Sequence, residues 1–138
     1  MIIKEYKSIY EYKAEEICNY VKSKINDDGW IDTDEIYVAD AVDDEVPLII
    51  IPTFIDVMDL DSTYADTGEN VINKAEFILI LDDTETSKCS IVCEPDDWYG
   101  WSIDIARHTD LDTAIKELNE FLSNPISNFE NNGLQVIE

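Results

Sequence analysis

Hydrophobic positions recur at two periods along the chain, and the changes between them divide it into elements. Ile9, Tyr12, Ile17, Val21 and Ile25 fall at helical spacing, and Ser8 with Glu11 three residues later forms a capping box ahead of them. The pattern predicts a helix over about residues 8–26, stopped by the turn residues "NDDG". "WIDTDEIYVAD" alternates in part and reads as a strand, and "VPLIII" is the continuous apolar run of a strand buried on both faces. Between them, "AVDDE" is a turn made almost wholly of acids. A structureless connection of about 20 residues is uncommon in a compact domain. Residues 53–73 are therefore expected to hold a short helix near 54–60 and an exposed acidic loop around 61–70.

"KAEFILILDD" and "SKCSIVCEP" follow as two strands, with "DTETS" as their hairpin connection. "WYGWSIDIARH" predicts a further strand after the "EPDD" turn. "TDLDTAIKELNEFL" is the second helix, with Thr109 or Asp110 as its cap and Leu111, Ile115, Leu118 and Leu122 as its core stripe; Pro125 is expected to end it. The tail "NNGLQVIE" is either an edge strand or a fraying end. Together these elements predict the α+β class: one domain over residues 1–138, an antiparallel sheet with two main helices packed on one face. The length suits one domain, and the 45% hydrophobic content supports a core despite the charge.

No apolar run reaches the ~18 residues of a membrane span, and "MIIKEYKSIYEYK" lacks the apolar stretch of a signal peptide. Cys18, Cys89 and Cys93 are an odd number with no framework spacing, which fits a reducing compartment. The expected location is the cytoplasm.

Charge changes the picture most. The net charge is −23, from 32 acids and 9 Lys or Arg. Residues 1–26 hold five Lys against four Glu, whereas residues 27–138 hold 28 acids against Lys74, Lys88, Arg107 and Lys116. Between Asp27 and Asn73 there are 14 acids and no basic residue. Solvated surfaces ordinarily mix the two signs, and self-repulsion on this scale opposes the compact state. Lysine outnumbers arginine eight to one and Ile and Asn are frequent, unlike a halophile, and the acids alternate with apolar residues instead of forming a tail. A merely soluble acidic domain is the plain alternative.

Several chemistries can be weighed residue by residue. "KINDDGWIDTDE" places Gly29, Ile31 and Glu35 at positions 6, 8 and 12 of a calcium loop, but Lys24 stands where the first carboxylate ligand belongs. His108 could pair with Cys89 or Cys93 as base and nucleophile, or join Cys18, Cys89 and Cys93 as a zinc site. Cys89 and Cys93 could share a metal, but a structural zinc site usually adds a second close pair such as H-x3–5-H and the chain has one histidine, so buried thiols with a surface histidine is the simpler reading. Paired carboxylates are too abundant here to mark glycosidase or protease chemistry. The long basic-free span argues against a phosphate-bearing substrate and against direct nucleic-acid binding, and no glycine-rich phosphate loop exists. No catalytic residue, metal ligand or cofactor is assigned. In "EPDDWYGW", Trp98, Tyr99 and Trp101 serve either as core aromatics or as interface anchors beside acids.

The acids suggest a different use. Residues i and i+2 of a strand lie about 6.6 Å apart on one face, a separation comparable to that of successive phosphates. Asp32 and Asp34 meet this condition on the expected strand, and turns add Asp27–Asp28, Asp43–Asp44–Glu45, Asp82–Asp83 and Asp96–Asp97. In size, charge and element order, over its whole length, the chain resembles phage- and plasmid-encoded DNA mimics of the anti-CRISPR and anti-restriction type. The resemblance carries no motif that transfers residue roles. It implies a non-enzymatic, stoichiometric inhibitor acting in a bacterial host cell, as monomer or homodimer, whose acidic surface blocks the nucleic-acid cleft of an RNA-guided or restriction nuclease. The expected partner contacts are Asp27, Asp28, Asp32, Asp34, Glu35, Asp43, Asp44 and Glu45 first. Asp59, Asp61, Asp66 and Glu69 come second, with Asp96, Asp97 and Trp98 beside them. The alternatives are an immunity protein or antitoxin neutralising a basic nuclease toxin, and a divalent-metal binder.

Overall fold

The computed structural model describes residues 14–26, 29–40, 47–81, 88–96 and 100–137. Helix α1 (Ala14–Lys24) leads through a 3-10 turn (Thr33–Glu35) to strands β1 (Tyr37–Asp40), β2 (Pro47–Thr63), β3 (Asn70–Leu81), β4 (Cys89–Pro95) and β5 (Ile103–Thr109). Helices α2 (Leu111–Leu122) and α3 (Pro125–Glu130) and strand β6 (Leu134–Ile137) complete the order. The strands form one antiparallel sheet in the order β1-β2-β3-β4-β5, with β6 also paired to β2. β2 is long enough to hold two partners on one side. Its first part pairs with β1 (Tyr37↔Ile50 to Asp40↔Pro47) and its second with β6 (Asp56↔Ile137 to Asp59↔Leu134).

Period-2 alternation sends one side chain in two towards the helices. Ile49, Ile51, Ile55 and Val57 of β2, Phe77 and Leu79 of β3, and Cys89, Ile91 and Cys93 of β4 are buried there. Ile17, Cys18, Val21 and Ile25 meet them from α1 and its end, and Leu111, Ala114, Ile115, Leu118 and Leu122 from α2. Phe77 and Phe129 each meet Phe121 edge-to-face, with ring centroids 5.8 and 5.1 Å away, and Trp101 stands 5.9 Å from Phe129. Such pairs add about 0.5–1.5 kcal/mol each beyond area burial. Both main helices lie on one face, so the α+β architecture is as the residue pattern predicts. No helix among the described residues is long and apolar enough to cross a membrane.

Two local expectations are overturned, one is extended and one is decided between its alternatives. The expected strand over "WIDTDEIYVAD" exists only as Tyr37–Asp40. Before it, the Glu35 N–H donates to the Asp32 carbonyl at 3.0 Å, closing a 3-10 turn, because Asp and Thr readily trade the ladder for local turns. The expected helix near 54–60 is part of β2. Thr53, Ile55 and Val57 continue the inward positions, and the buried Thr53 Oγ1 donates to the Ala75 carbonyl (2.7 Å) while accepting from the Ile55 N–H (3.0 Å). That hydroxyl bridges the irregularity between Pro52↔Glu76 and Asp56↔Lys74. Pro125 does not simply end α2; it starts α3, with Asn124 as cap. The tail resolves as the edge strand β6. The predicted start of α1 at residues 8–13, and the "DTETS" turn, lie outside the described residues.

Candidate functional site

The far end of the β2–β3 hairpin outruns every other strand. β4 ends against Ala75, and β6 begins against Asp59. Beyond these points the end of β2 (residues 60–63) and the turn over 64–69 project as the tip of a two-stranded ribbon closed by Thr63↔Asn70, with no third strand among the described residues. Its ladder skips from Asp59↔Val71 to Thr63↔Asn70. The Asn70 carboxamide pins that irregular stretch by donating to the carbonyls of Asp59 (3.1 Å), Leu60 (3.4 Å) and Ser62 (3.4 Å). At the tip, the Tyr64 N–H donates to the Glu69 carbonyl and the Gly68 N–H to the Tyr64 carbonyl, both at 2.8 Å. Gly68 holds φ +73°, the left-handed conformation that favours glycine.

This ribbon displays carboxylates. Asp61, Asp66 and Glu69 are exposed. Asp59 is half-buried, and its Oδ1 accepts from the Asp61 N–H at 2.9 Å. Leu60 and Tyr64 are exposed between them, at 50% and 44%. None of these acids belongs to an ion pair among the described residues. The two ion pairs among the described residues are Lys74–Asp56 (3.0 Å) and Arg107–Asp104 (3.8 Å).

A second group lies where the ribbon joins the sheet, on the face away from the helices. Glu76 stands opposite Glu94, and the Asp96 N–H donates to the Lys74 carbonyl at 2.8 Å. Burial first, and then the negative charges of Asp96 and Glu94, push the Glu76 carboxyl above its ordinary range. Asp104 faces the same side, opposite Val92. Residue-level reasoning did not name Glu76, Glu94 or Asp104. Strand alternation in "KAEFILIL" and "CSIVCEP" carried the signal for the first two, since Ala75, Phe77, Ile91 and Cys93 point inwards and leave the intervening acids outwards.

The remaining expected contacts are placed as follows. Asp34 and Glu35 are exposed and Asp32 half-buried on the 3-10 turn, so the strand spacing expected of Asp32 and Asp34 is not realised. The Asp32 N–H donates to the Pro52 carbonyl, so this turn sits beside mid-β2, about 23 Å of strand from Asp59. The acids are therefore arrayed along the long hairpin, not gathered at one point. Asp96 is exposed at the end of β4. Asp27, Asp28, Asp43, Asp44, Glu45, Asp97 and Trp98 lie outside the described residues, as does Tyr99. Trp101 is half-buried against Phe129 and so belongs with the core.

The chemistry weighed against this surface has the following geometry. Cys18, Cys89 and Cys93 are buried, whereas His108 is exposed at the end of β5. Burial pushes the Cys18 thiol up and the Cys93 thiol well up, away from the thiolate a nucleophile or metal ligand needs. Among the described residues no group of three or more His, Cys, Asp or Glu is disposed to hold a metal ion. After Gly29 the calcium-loop stretch joins the sheet, with Ile31 bridged to Thr53, and no exiting α-helix follows. A groove of about 760 Å³ between α1 and α2 is lined by Tyr20, Lys24, Asp112 and Asn119. These groups are engaged in joining the helices. The Tyr20 hydroxyl donates to Asp112, which raises the phenol to about 12, and the Asn119 amide donates to the Lys24 carbonyl at 3.0 Å.

The chain matches no protein-family model, no curated protein and no solved structure, so the site's own geometry carries the functional reading.

Proposed function

We propose that the chain is a non-enzymatic, stoichiometric inhibitor that imitates a nucleic acid. In this reading the acidic ribbon and the adjoining carboxylate row enter the basic nucleic-acid cleft of a nuclease, of the kind targeted by anti-CRISPR or anti-restriction proteins. The observation that supports it is the projecting ribbon, whose exposed carboxylates Asp61, Asp66 and Glu69 have no ion-pair partner among the described residues of a chain of net charge −23. A cleft built to neutralise phosphates offers these groups the cations that the chain withholds. Encounter is steered by the field, which raises association rates by about 10–10³-fold at low salt. Leu60 and Tyr64 supply apolar contact inside the cleft.

The test is capture from a bacterial lysate on the immobilised chain, with rising salt and with prior nuclease treatment. The reading predicts retention of one basic nucleic-acid-binding protein, released by salt and displaced by that protein's own guide or DNA. Retention that requires nucleic acid, or retention of no discrete protein, contradicts it.

A further inference from the structure

We infer that the sheet face away from the helices is a docking surface for a basic amphipathic helix of a protein partner. The run "VPLIII" reads as a strand buried on both faces, whereas the described helices pack on one face only. On the other face β2 sets Ile50 between Tyr37 and Ile78, and Met58 between Ile72 and Gln135. Phe54 stands between those rows, its neighbours Thr53 and Ile55 being turned inwards and buried. Every large hydrophobic side chain exposed among the described residues belongs to this face or to the ribbon that continues it. Tyr37 (51%), Phe54 (57%), Ile72 (44%) and Ile137 (38%) are on the face, and Leu60 and Tyr64 on the ribbon. Contiguous apolar surface with a charged rim marks an interaction site.

The charge around these residues selects the occupant. At the level of Pro52, Glu76 and Glu94 follow one another across β3 and β4, and Asp32 lies on the opposite side of β2 with its N–H on the Pro52 carbonyl. The apolar strip along β2 therefore has acids on both flanks. None of these three acids has an ion-pair partner among the described residues. The Lys and Arg of the strands, Lys74 and Arg107, are each held by an aspartate. A second copy, an anionic lipid surface and a nucleic acid would each set negative charge against this rim and are repelled. A helix with an apolar stripe between two rows of Lys or Arg matches both the strip and its rim, and covers this face as α1 and α2 cover the other. The partner's identity rests on the inhibitor reading: the ribbon occupies the nuclease cleft, and this face takes a basic helix beside it.

The probes are three labelled peptides of about 18 residues, roughly five helical turns. One is an amphipathic Leu/Lys helix, one replaces every Leu by Ser, and one replaces every Lys by Glu. Binding to the purified chain is followed by fluorescence anisotropy at about 0.15 M salt. The expected result is one Leu/Lys peptide per chain, held at least tenfold more tightly than the Ser/Lys peptide of equal charge, with no binding of the Leu/Glu peptide. Phe54→Thr and Ile72→Thr, separately and together, are expected to remove most of that advantage with circular dichroism and Ser/Lys binding unchanged. Glu76→Gln combined with Glu94→Gln is expected to weaken the Leu/Lys peptide several-fold. Equal binding of the Leu/Lys and Ser/Lys peptides overturns the inference. So does an advantage that survives both threonine substitutions, or a Leu/Glu peptide that binds as tightly as Leu/Lys. These measurements use no captured protein, so lysate capture by the native chain shows separately whether the inhibitor reading stands.

Discussion

Glu76 and Glu94 stand directly opposite each other on β3 and β4, with Asp96 close enough to raise the Glu76 carboxyl further, and neither glutamate has an ion-pair partner among the described residues. Like charges opposed across strands destabilise a sheet. Their retention is the local form of the imbalance seen in the whole chain: charge is kept at the expense of stability.

Glu76→Gln is therefore expected to stabilise the fold by up to about 1 kcal/mol at neutral pH. The sign follows from the raised carboxyl. Above the raised value the ionised native state carries the penalty. As pH falls through that value and below the ordinary 4.5, native and unfolded states are both protonated and the penalty disappears. Urea unfolding of both proteins from pH 7 to pH 4 should show the advantage of Gln shrinking with acidification; a constant or growing advantage would refute this account of the pair.

Asp110 behaves oppositely. As cap of α2 it accepts from the Thr113 N–H at 2.8 Å, the main cause of its lowered carboxyl, and from the Thr113 hydroxyl at 2.8 Å. Its contribution is present above the ordinary value of 3.8 and lost as pH falls through the lower native value. Asp110→Ala should cost about 1 kcal/mol at pH 7. Thermal melts of the two proteins should converge at strongly acidic pH.

Thr53→Val tests the buried hydroxyl that spans the β2 irregularity. It preserves shape but leaves the Ala75 carbonyl and the Ile55 N–H without their partner, at a cost of about 1–3 kcal/mol. Hydrogen exchange should localise the loss to residues 51–57 and 73–76. Uniform loss across the sheet would mean that Thr53 does not hold the irregularity.

Much of this architecture is legible in the chain. The stripe Leu111, Ile115, Leu118 and Leu122 is buried as its spacing requires, and β3 and β4 pair as their alternation implies. Residues 54–60 misled because polar Thr53 occupies an inward position and Phe54 points out at 57% exposure, which hides the alternation of Ile51, Ile55 and Val57. At the site, Asp61, Asp66 and Glu69 were legible as exposed. Their projection was not, because it depends on where β4 and β6 stop, a long-range property. Glu76 and Glu94 became neighbours only through strand register, although neither residue's outward direction required it.

Asn70→Ala separates geometry from charge. It removes the carboxamide that pins the carbonyls of Asp59, Leu60 and Ser62 while leaving net charge at −23. Faster amide exchange over 59–64 is expected, with several-fold weaker retention of the captured protein. Unchanged retention would show that the ribbon's shape is irrelevant to binding.

The most direct test of the central claim compares two variants with the same total charge. One neutralises the ribbon through Asp61→Asn, Asp66→Asn and Glu69→Gln; the other neutralises the helical acids through Asp112→Asn, Glu117→Gln and Glu130→Gln. Affinity for the lysate-captured protein is measured for both at one salt concentration. The account predicts at least a tenfold loss for the ribbon variant, about 1.4 kcal/mol, and near-native affinity for the helical one. Equal losses would mean that only bulk charge matters, and no loss in the ribbon variant would remove the ribbon from the interface.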